Sequence, residues 1–243
     1  MNIKKYPDIV YCVGSPANWG HNELRYSLRS AEKYLKFDNV FIVGHKPSFL
    51  NDKLIHIPIA DDQGHKYKNV AKKVKFILDC KDISEDFIYM NDDFFLMRPY
   101  DPVPYLWNDK IKEWVEHYPA FRGKYYKNIC ALYEDFPKGK FFELHFPIVF
   151  NKQKAKAVIE KYKLEITLML RSYYGNEYEQ ELSPIAESLD YKVSGNSKFK
   201  NIEFLPSNPP FISCSDRSAA EITFKKFIQA KFPNRSSFEK INI

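Results

Sequence analysis

The sequence predicts an α/β fold in which helices flank a central, mostly parallel β-sheet. Between residues 9 and 90, short apolar runs rich in β-formers alternate with amphipathic segments of helical period, which is the pattern of βαβ units. Each of the best-defined apolar runs leads into a glycine-containing or acidic loop, as buried strands do. The chain has 243 residues, of which 44% are apolar and 16% aromatic. We therefore predict a single domain over residues 1–243 with a sizeable core.

The first predicted unit consists of a strand over residues 9–13, a helix over residues 23–35 and a strand over residues 40–44. The apolar positions of the helix recur at helical spacing, at Leu24, Leu28, Ala31 and Leu35. Asn22 is predicted as its N-cap. A helix that joins two parallel strands implies a right-handed crossover. The loop after the first strand is then a place where nucleotides commonly bind.

A second unit follows, with strands predicted over residues 54–59 and 87–90 and a lysine-rich helix over residues 68–80. The last of these strands runs directly into residues 91–93, Asn-Asp-Asp, at the sheet edge where ligands collect. Beyond Arg98 the prolines and aromatic residues interrupt the pattern, so we expect an irregular region. Further helices are predicted over residues 152–162, 165–174, 184–189 and 219–231.

Charge and cysteine usage narrow the class of protein. The net charge of +6 and the pI near 8.9 suit a diphosphate ligand or a polyanionic acceptor, and equally suit ordinary solubility. The four cysteines are far apart and form no Cys-x-x-Cys pair, which predicts neither structural zinc nor a disulfide framework. No signal-peptide core or membrane span is apparent. We expect a cytoplasmic protein, with peripheral attachment to a membrane left open.

Three common motifs are missing from the sequence. There is no Gly-x-Gly-x-x-Gly after the first strand, no Gly-x-x-x-x-Gly-Lys-[Ser/Thr] and no Gly-x-Ser-x-Gly. These absences argue against a dinucleotide oxidoreductase, a P-loop NTPase and an α/β-hydrolase.

The sharpest local signal is the acidic pair Asp92 and Asp93 at the end of a predicted strand. Two carboxylates there can hold Mg²⁺ or Mn²⁺ against the two phosphates of a nucleotide sugar, and the cation neutralises charge on the leaving group. Acidic pairs at strand ends also serve as turn formers and helix caps. The pair alone leaves both interpretations open.

His145 and two arginines are further candidates. His145 lies in an apolar aromatic run, where a neutral imidazole can act as a base, although a buried histidine is often only a satisfied core residue. Arg25 and Arg29 are four residues apart and share a helix face. They can clamp phosphates or pair with Glu23 and Glu32 at the surface.

Four segments of the chain, taken together and in order, resemble the signature segments of the Stealth phosphotransferases. The first comprises residues 9–11 and 22–34, with Glu-Leu-Arg-Tyr-Ser-Leu-Arg-Ser, and the second comprises residues 87–95 followed by Arg98-Pro99. The third rests on His145-x-Pro147 and on Arg171 with Asn176-Glu177, and the fourth on Cys214-Ser215-Asp216 and residues 232–239. This family includes bacterial capsule-polymer hexose-1-phosphate transferases and the core of animal N-acetylglucosamine-1-phosphotransferase.

The resemblance implies a GT-A-like (Rossmann-like) α/β fold, a UDP-sugar donor and a Mg or Mn cation. It implies transfer of a sugar 1-phosphate to a hydroxyl of a glycan or similar acceptor, with release of nucleoside monophosphate. The roles that it implies are catalytic for His145, Asp92 and Arg171, donor-binding for Asn22, Glu23, Arg25, Arg29 and Asn91, and metal-binding for Asp92, Asp93 and Asp216.

Two departures from the family pattern keep other functions open. Residues 12–15, Cys-Val-Gly-Ser, replace Thr-Trp-Val-Asp/Asn-Gly, and Ser215-Asp216 replaces Asn-Asp. Both changes lie beside the predicted donor. One alternative is therefore a GT-A glycosyltransferase that attacks the anomeric carbon and releases a diphosphate, with a glycan or, less favoured, a modified nucleic-acid base as acceptor. The other is a non-catalytic module that binds sugar nucleotides or glycans.

Overall fold

The computed structural model of the chain describes residues 6–15, 19–107, 109–117, 123–165, 168–178, 191–193 and 209–241. In these parts the strands are β1 (Asp8–Val13), β2 (Val40–Gly44), β3 (Ile55–Ile57), β4 (Asp86–Met90), β5 (Phe94–Leu96), β6 (Ile148–Asn151), β7 (Lys192–Val193) and β8 (Phe211–Cys214). The helices are α1 (Asn22–Tyr34), α2 (Lys66–Asp79), α3 (Ile111–His117), α4 (Lys124–Asp135), α5 (Lys152–Lys161), α6 (Leu170–Tyr178) and α7 (Ile222–Lys231).

A five-stranded sheet in the order β3-β2-β1-β4-β6 forms the centre of the fold. The first four strands are parallel, and β6 runs antiparallel to β4. Tyr11 of β1 pairs with Met90 of β4, so the residues that follow each strand leave the sheet side by side. This register places the loops after β1 and β4 at one edge, as expected for parallel strands.

Both faces of this sheet are buried because alternate side chains point to opposite sides. Val10, Phe41 and Phe87 pack in one core with α2, α5 and α6. Ile9, Ile42 and other residues of the opposite face pack in a second core with α1. The near-continuous apolar runs of the strands are explained by this two-sided burial.

A smaller sheet in the order β5-β8-β7 lies against α7. β5 pairs antiparallel and β7 parallel with β8. Phe95, Ile212 and Phe224 belong to the core that joins this sheet to α7. Because β5 begins directly after Asp93, this second sheet meets the main sheet beside the acidic pair.

Most predicted elements lie where expected, within one or two residues, and the α/β prediction is confirmed. The helix predicted from residue 165 begins only at Leu170, and that predicted from residue 219 begins at Ile222 after a 3-10 turn. His21, not Asn22, is the N-cap of α1. The helix predicted over residues 184–189 lies outside the described residues.

The region after Arg98 was expected to be irregular, and this expectation is corrected by α3 and α4. Ile111, Ile129 and Leu132 are buried in the core under the main sheet. This burial stabilises short helices that the periodicity of the sequence indicates only weakly. None of the described helices is long and apolar enough to cross a membrane.

Candidate active site

A cleft of about 920 Å³ opens at the carboxyl edge of β1 and β4. Its lining comes from both sheets and from the segments around α2 and α6. The predicted site residues that line it are Glu23, Asn91, Asp92, Asp93, His145, Arg171 and Asp216. The structure therefore brings together groups as far apart in the sequence as Glu23 and Asp216.

Asp92 and Asp93 occupy the turn between β4 and β5, where Phe94 N–H donates to Asn91 O at 3.4 Å. Burial raises the pKa of both carboxyl groups. For Asp92, the charges of Asp93 and Glu23 raise the pKa further. For Asp93, the charge of Lys192 offsets part of the rise. Adjacent carboxylates in a partly dehydrated cleft repel each other, and a cation would relieve this repulsion.

Glu23 extends the acidic side of the cleft from the first turn of α1. Its side chain is buried, and its Oε1 has no hydrogen-bond partner in the described parts of the chain. Burial, followed by the charges of Asp216 and Asp93, raises the pKa of Glu23. A buried carboxylate oxygen without a partner is costly in a free protein. It is therefore available to a ligand.

The chemistry of these carboxylates suits a divalent cation that takes part of its coordination shell from outside the protein. Across the described ranges, no group of three or more His, Cys, Asp or Glu side chains is close enough to hold an ion alone. Mg²⁺ commonly takes only one or two carboxylates from a protein and completes its shell with phosphate oxygens and water. The acidic turn and the unpartnered Glu23 oxygen suit that mode of binding.

His145 contacts Lys192 on the other side of the cleft. Lys192 Nζ lies 2.9 Å from His145 Nε2, and the edge of the His145 ring faces Phe94 with centroids 6.3 Å apart. No motif in the sequence indicates Lys192 as a site residue. It lies in a two-residue strand whose position beside β8 is a property of the fold rather than of any motif.

Arg171 is buried on α6 and holds the His145 segment in place. Its Nη1 donates to Phe146 O at 2.6 Å and to Leu144 O at 3.3 Å. Its Nη2 is buried without a hydrogen-bond partner among the described residues, and burial lowers the pKa of the guanidinium. One nitrogen of the fork is thus used for structure and the other is left for an anion.

Glu143 is a second residue of this segment that the sequence analysis missed. It lines the cleft, and Ser172 N–H donates to its Oε1 at 2.9 Å. Burial raises the pKa of Glu143 to about 7, although the charge of Arg171 and the Ser172 hydrogen bond act in the opposite direction. A carboxyl group that titrates near neutrality in a cleft is a candidate functional group.

The structure does not bring Asn22, Arg25 and Arg29 to the cleft lining in the residues it describes. Arg25 Nη1 and Arg29 Nε donate to the two carboxylate oxygens of Glu239 at 2.8 and 2.7 Å. Asn22 Oδ1 accepts from Arg25 Nε at 2.9 Å. The polar groups of these three residues thus bind one another and Glu239, which gives them a structural role, and donor binding by them stays a prediction.

The end of the cleft beside α2 is built around a buried lysine. Lys73 Nζ donates to Val13 O at 2.9 Å and to Asp61 Oδ1 at 2.5 Å. Gly44, with φ of 117°, permits this approach, because a Cβ there would lie 2.1 Å from Val13 O and 2.8 Å from Lys73 Cε. Lys73 is buried, whereas Lys66, Lys68 and Lys75 of the same helix are exposed.

His21 lies at the same edge, stacked on His45 with ring centroids 4.8 Å apart. Its Nε2 is buried with no hydrogen-bond partner in the described chain, and burial followed by the charge of His45 lowers its pKa. His21 also has φ of 65°, an uncommon conformation for a residue with a side chain. The loop after β1 therefore presents a neutral imidazole to the cleft.

Comparison with solved structures identifies the fold. A galactosyltransferase, LgtC, in complex with donor and acceptor sugar analogues aligns with a TM-score of 0.50 at 10% sequence identity, over 95% of this chain and 98% of that one. An active-site variant of LgtC also gives a TM-score of 0.50, at 11% identity. At such low identity the likeness concerns the fold alone. The protein thus has the predicted GT-A-like α/β fold.

Comparison with curated proteins finds similarity to phosphotransferases, whereas no protein-family model matches the chain. A capsular polysaccharide phosphotransferase of Neisseria meningitidis serogroup B is 34% identical over 115 residues, 43% of this chain and 31% of that protein. An exopolysaccharide phosphotransferase of Streptomyces coelicolor is 32% identical over 92 residues, 33% of this chain and 16% of that protein. The matches span less than a third of either relative. The predicted resemblance is confirmed at this modest identity.

Proposed function

We propose that this protein is a metal-dependent transferase that moves a sugar 1-phosphate from a UDP-sugar to a hydroxyl group of a glycan or similar acceptor. The observation that carries the proposal is the arrangement of one cleft, in which the acidic residues Asp92 and Asp93 face His145 and Arg171. The similarity to two polysaccharide phosphotransferases supports the same reaction.

In the proposed reaction, His145 accepts the proton of the acceptor hydroxyl. The acceptor oxygen forms a bond to the phosphorus that carries the sugar, and the bond from this phosphorus to the bridging oxygen of the diphosphate breaks. The electron pair leaves with the nucleoside monophosphate, and a phosphodiester forms. Arg171 Nη2, which has no partner in the described structure, donates to an oxygen of the transferred phosphoryl group.

Asp92, Asp93 and Glu23 are the residues that we propose to hold the divalent cation, with Asp216 as a neighbouring carboxylate. A bound cation would neutralise charge on the phosphates and on the leaving nucleotide. Glu23, assigned to the donor by the sequence analysis, is placed nearer the metal by this proposal because its charge acts on Asp92.

The α2 end of the cleft is proposed to take the nucleoside. Lys73, Asp61 and His21 offer both donors and acceptors there, and the amino-terminal turn of α2 borders the same space with His65 and Lys66. Such a mixed polar lining suits a base and a ribose, which carry hydrogen-bonding groups of both kinds.

A glycosyltransferase is the second candidate, and the GT-A-like fold shared with a galactosyltransferase favours it. In that reaction the acceptor oxygen would attack the anomeric carbon, and the diphosphate would leave intact. The two reactions differ in the nucleotide released, which is UMP for sugar-phosphate transfer and UDP for glycosyl transfer.

The deciding experiment is incubation of the purified protein with UDP- and GDP-sugars, Mn²⁺ and a panel of glycan acceptors, followed by mass spectrometry. We expect UMP together with an acceptor whose mass has increased by a sugar phosphate. Both products should be lost in Asp93→Asn and in His145→Gln, and should remain in the surface variant Asp79→Asn.

Other products would overturn the proposal. UDP with an acceptor heavier by a sugar alone would establish the glycosyltransferase. Tight binding of a UDP-sugar without any product would favour the binding module, provided that Asp93→Asn binds as tightly as the unaltered protein.

A further inference from the structure

Lys192 and His145 form a contact that the proposed reaction must break. A lysine ammonium has three N–H donors and no lone pair. At 2.9 Å it therefore donates to His145 Nε2, which places the ring proton of a neutral imidazole on Nδ1. The lone pair that would accept a proton is thus occupied in the ligand-free protein.

The backbone segments that carry Lys192 and His145 are each held by contacts other than the one between the two side chains. Lys192 is in β7, opposite Ser213 of β8, and Val193 O accepts from Ser215 N–H at 3.0 Å. The His145 segment is held by Arg171 through the carbonyl groups on either side of the histidine. The contact between Lys192 and His145 is therefore set by the fold of the two segments that carry them.

Lys192 also lies beside the proposed phosphate position. After burial, its charge is the largest influence on Asp93, and it opposes the rise in the pKa of that carboxyl group. The side chain is only partly buried and lines the cleft. A phosphate bound at the acidic turn would therefore be within the neighbourhood of the Lys192 ammonium.

We propose that Lys192 binds a non-bridging phosphate oxygen of the donor and, in moving to it, releases the Nε2 lone pair of His145. The proposal rests on the proposed function and adds a donor-binding residue to it. It makes the base available only when a phosphate is present. No bond other than a hydrogen bond is exchanged in this step.

The test uses protein with ¹⁵N-labelled histidine and long-range ¹H–¹⁵N NMR, with UDP and Mg²⁺ as the probe. The chain has six histidines, and His145→Gln assigns the signal by its loss. In the free protein we expect Nδ1 to be protonated and Nε2 to show the shift of a hydrogen-bond acceptor. Saturation with UDP and Mg²⁺ should move the Nε2 signal away from this position, because the hydrogen bond from Lys192 is lost.

Two lysine variants complete the design. In Lys192→Met the Nε2 signal should already lie, without nucleotide, where it lies in the unaltered protein saturated with UDP and Mg²⁺. UDP affinity measured by calorimetry should fall about tenfold, as for loss of a charged hydrogen bond. Lys161→Met removes the same charge from a surface ion pair and should keep the affinity within about twofold. Lys192→Arg should retain most of the affinity.

The outcomes separate this proposal from the proposed reaction. An unmoved Nε2 signal in nucleotide-saturated protein, an unchanged free signal in Lys192→Met, or no loss of affinity relative to Lys161→Met would each overturn the role of Lys192. Failure of both UDP and pyrophosphate to bind with Mg²⁺ would overturn it as well. If Nε2 moves as expected and no UMP is formed, only the proposed reaction fails.

Discussion

At the scale of single residues, the cleft contains buried carboxyl groups whose ionisation lowers the stability of the folded protein. Burial raises the pKa of Asp92, Asp93 and Glu23, and repulsion from neighbouring carboxylates raises it further for Asp92 and Glu23. The folded state therefore binds these protons more tightly than the unfolded chain does, and its stability falls as the pH rises. Such a cluster favours ligand binding over stability.

Asp92→Asn is expected to be more thermally stable than the unaltered protein at about pH 8 in EDTA, because it removes one of the repelling charges. Saturating Mn²⁺ should raise the melting temperature of the unaltered protein and leave that of the variant nearly unchanged. Differential scanning fluorimetry measures both, with Asp79→Asn as a control that should respond like the unaltered protein. A variant that is less stable in EDTA would contradict the repulsion argument.

Glu143→Gln is expected to be stabilising at alkaline pH and close to neutral at acidic pH. The folded-state pKa of Glu143 is raised to about 7. The protonated side chain therefore stabilises the folded state at low pH, and this stabilisation is lost as the pH rises from the unfolded-state pKa of the group through about 7. Glutamine keeps the oxygen that accepts from Ser172 N–H. Urea unfolding from about pH 5 to about pH 8 should show the difference between the two proteins growing with pH, and a constant difference would contradict the assigned titration.

At the scale of elements, α1 and the segment after α7 are joined by a buried ion pair. The Glu239 side chain is fully buried, that of Arg29 is 9% exposed and that of Arg25 is 27% exposed. Burial alone would raise the pKa of Glu239, but hydrogen bonds from Arg29 and Ser236 N–H outweigh it and keep the pKa below its ordinary value. Glu239 thus anchors the end of the described chain to α1.

Glu239→Ala is expected to lower the free energy of unfolding by about 3 kcal/mol, because it leaves buried arginine charge without a partner. Chemical denaturation measures the loss, and UDP affinity of the folded fraction should not change. The matched control is Asp52→Ala, which removes an exposed partner of Lys46 and should leave the denaturation midpoint almost where it was. Equal effects of the two substitutions would remove the structural role given to Glu239.

Gly175 sets the distance between α6 and the segment that carries His145. A Cβ at Gly175 would lie 2.6–2.7 Å from ring carbons of Phe142, and this ring is fully buried. Gly175 is four residues after Arg171, on the same face of the helix. Displacing α6 here would displace the guanidinium that supports the site.

Gly175→Ala is therefore expected to cost about 1–3 kcal/mol of stability through overpacking and to reduce turnover more than it reduces UDP affinity. Unfolding curves and product assays measure the two effects. Gly123→Ala is the control, since nothing lies within 4 Å of a Cβ there. Turnover that survives unchanged in Gly175→Ala would show that Arg171 is not positioned by this contact.

At the scale of the whole molecule, the cleft depends on both sheets. Asp92 and Asp93 follow β4 of the main sheet, whereas Lys192 and Asp216 belong to or follow strands of the smaller one. A ligand that contacts both sides links the stabilities of the two sheets. The prediction of a single domain stays a prediction, and this linkage offers a way to examine it.

Hydrogen exchange should show this linkage directly. UDP with Mg²⁺ is expected to slow exchange at amides of β8 as well as β1, because binding to both sides suppresses opening of either. UDP in EDTA, as the control, should protect less. Protection confined to β1 and its neighbours would mean that the smaller sheet does not take part in binding.

The sequence was sufficient for much of the main sheet, because β1, β2 and β4 are apolar runs whose period and flanking residues are unambiguous. Motifs indicated Asp92, His145 and Arg171, which the structure brings to one cleft and whose roles stay predictions. They were not sufficient for Lys192 or Glu143, whose positions depend on strand pairing and helix packing between distant segments. They also did not reveal that Arg25 and Arg29 bind Glu239, because this partner is more than 200 residues away in the chain.

That separation has a consequence for the order in which the protein is made. Arg29 emerges from the ribosome 210 residues before its buried counter-ion, and synthesis proceeds at about 5–20 residues per second. At that rate, the arginines of α1 are without Glu239 for about ten seconds or longer. A chain that stalls before residue 239 would present this face to other proteins, because the carboxylate that pairs with Arg25 and Arg29 has not yet been added.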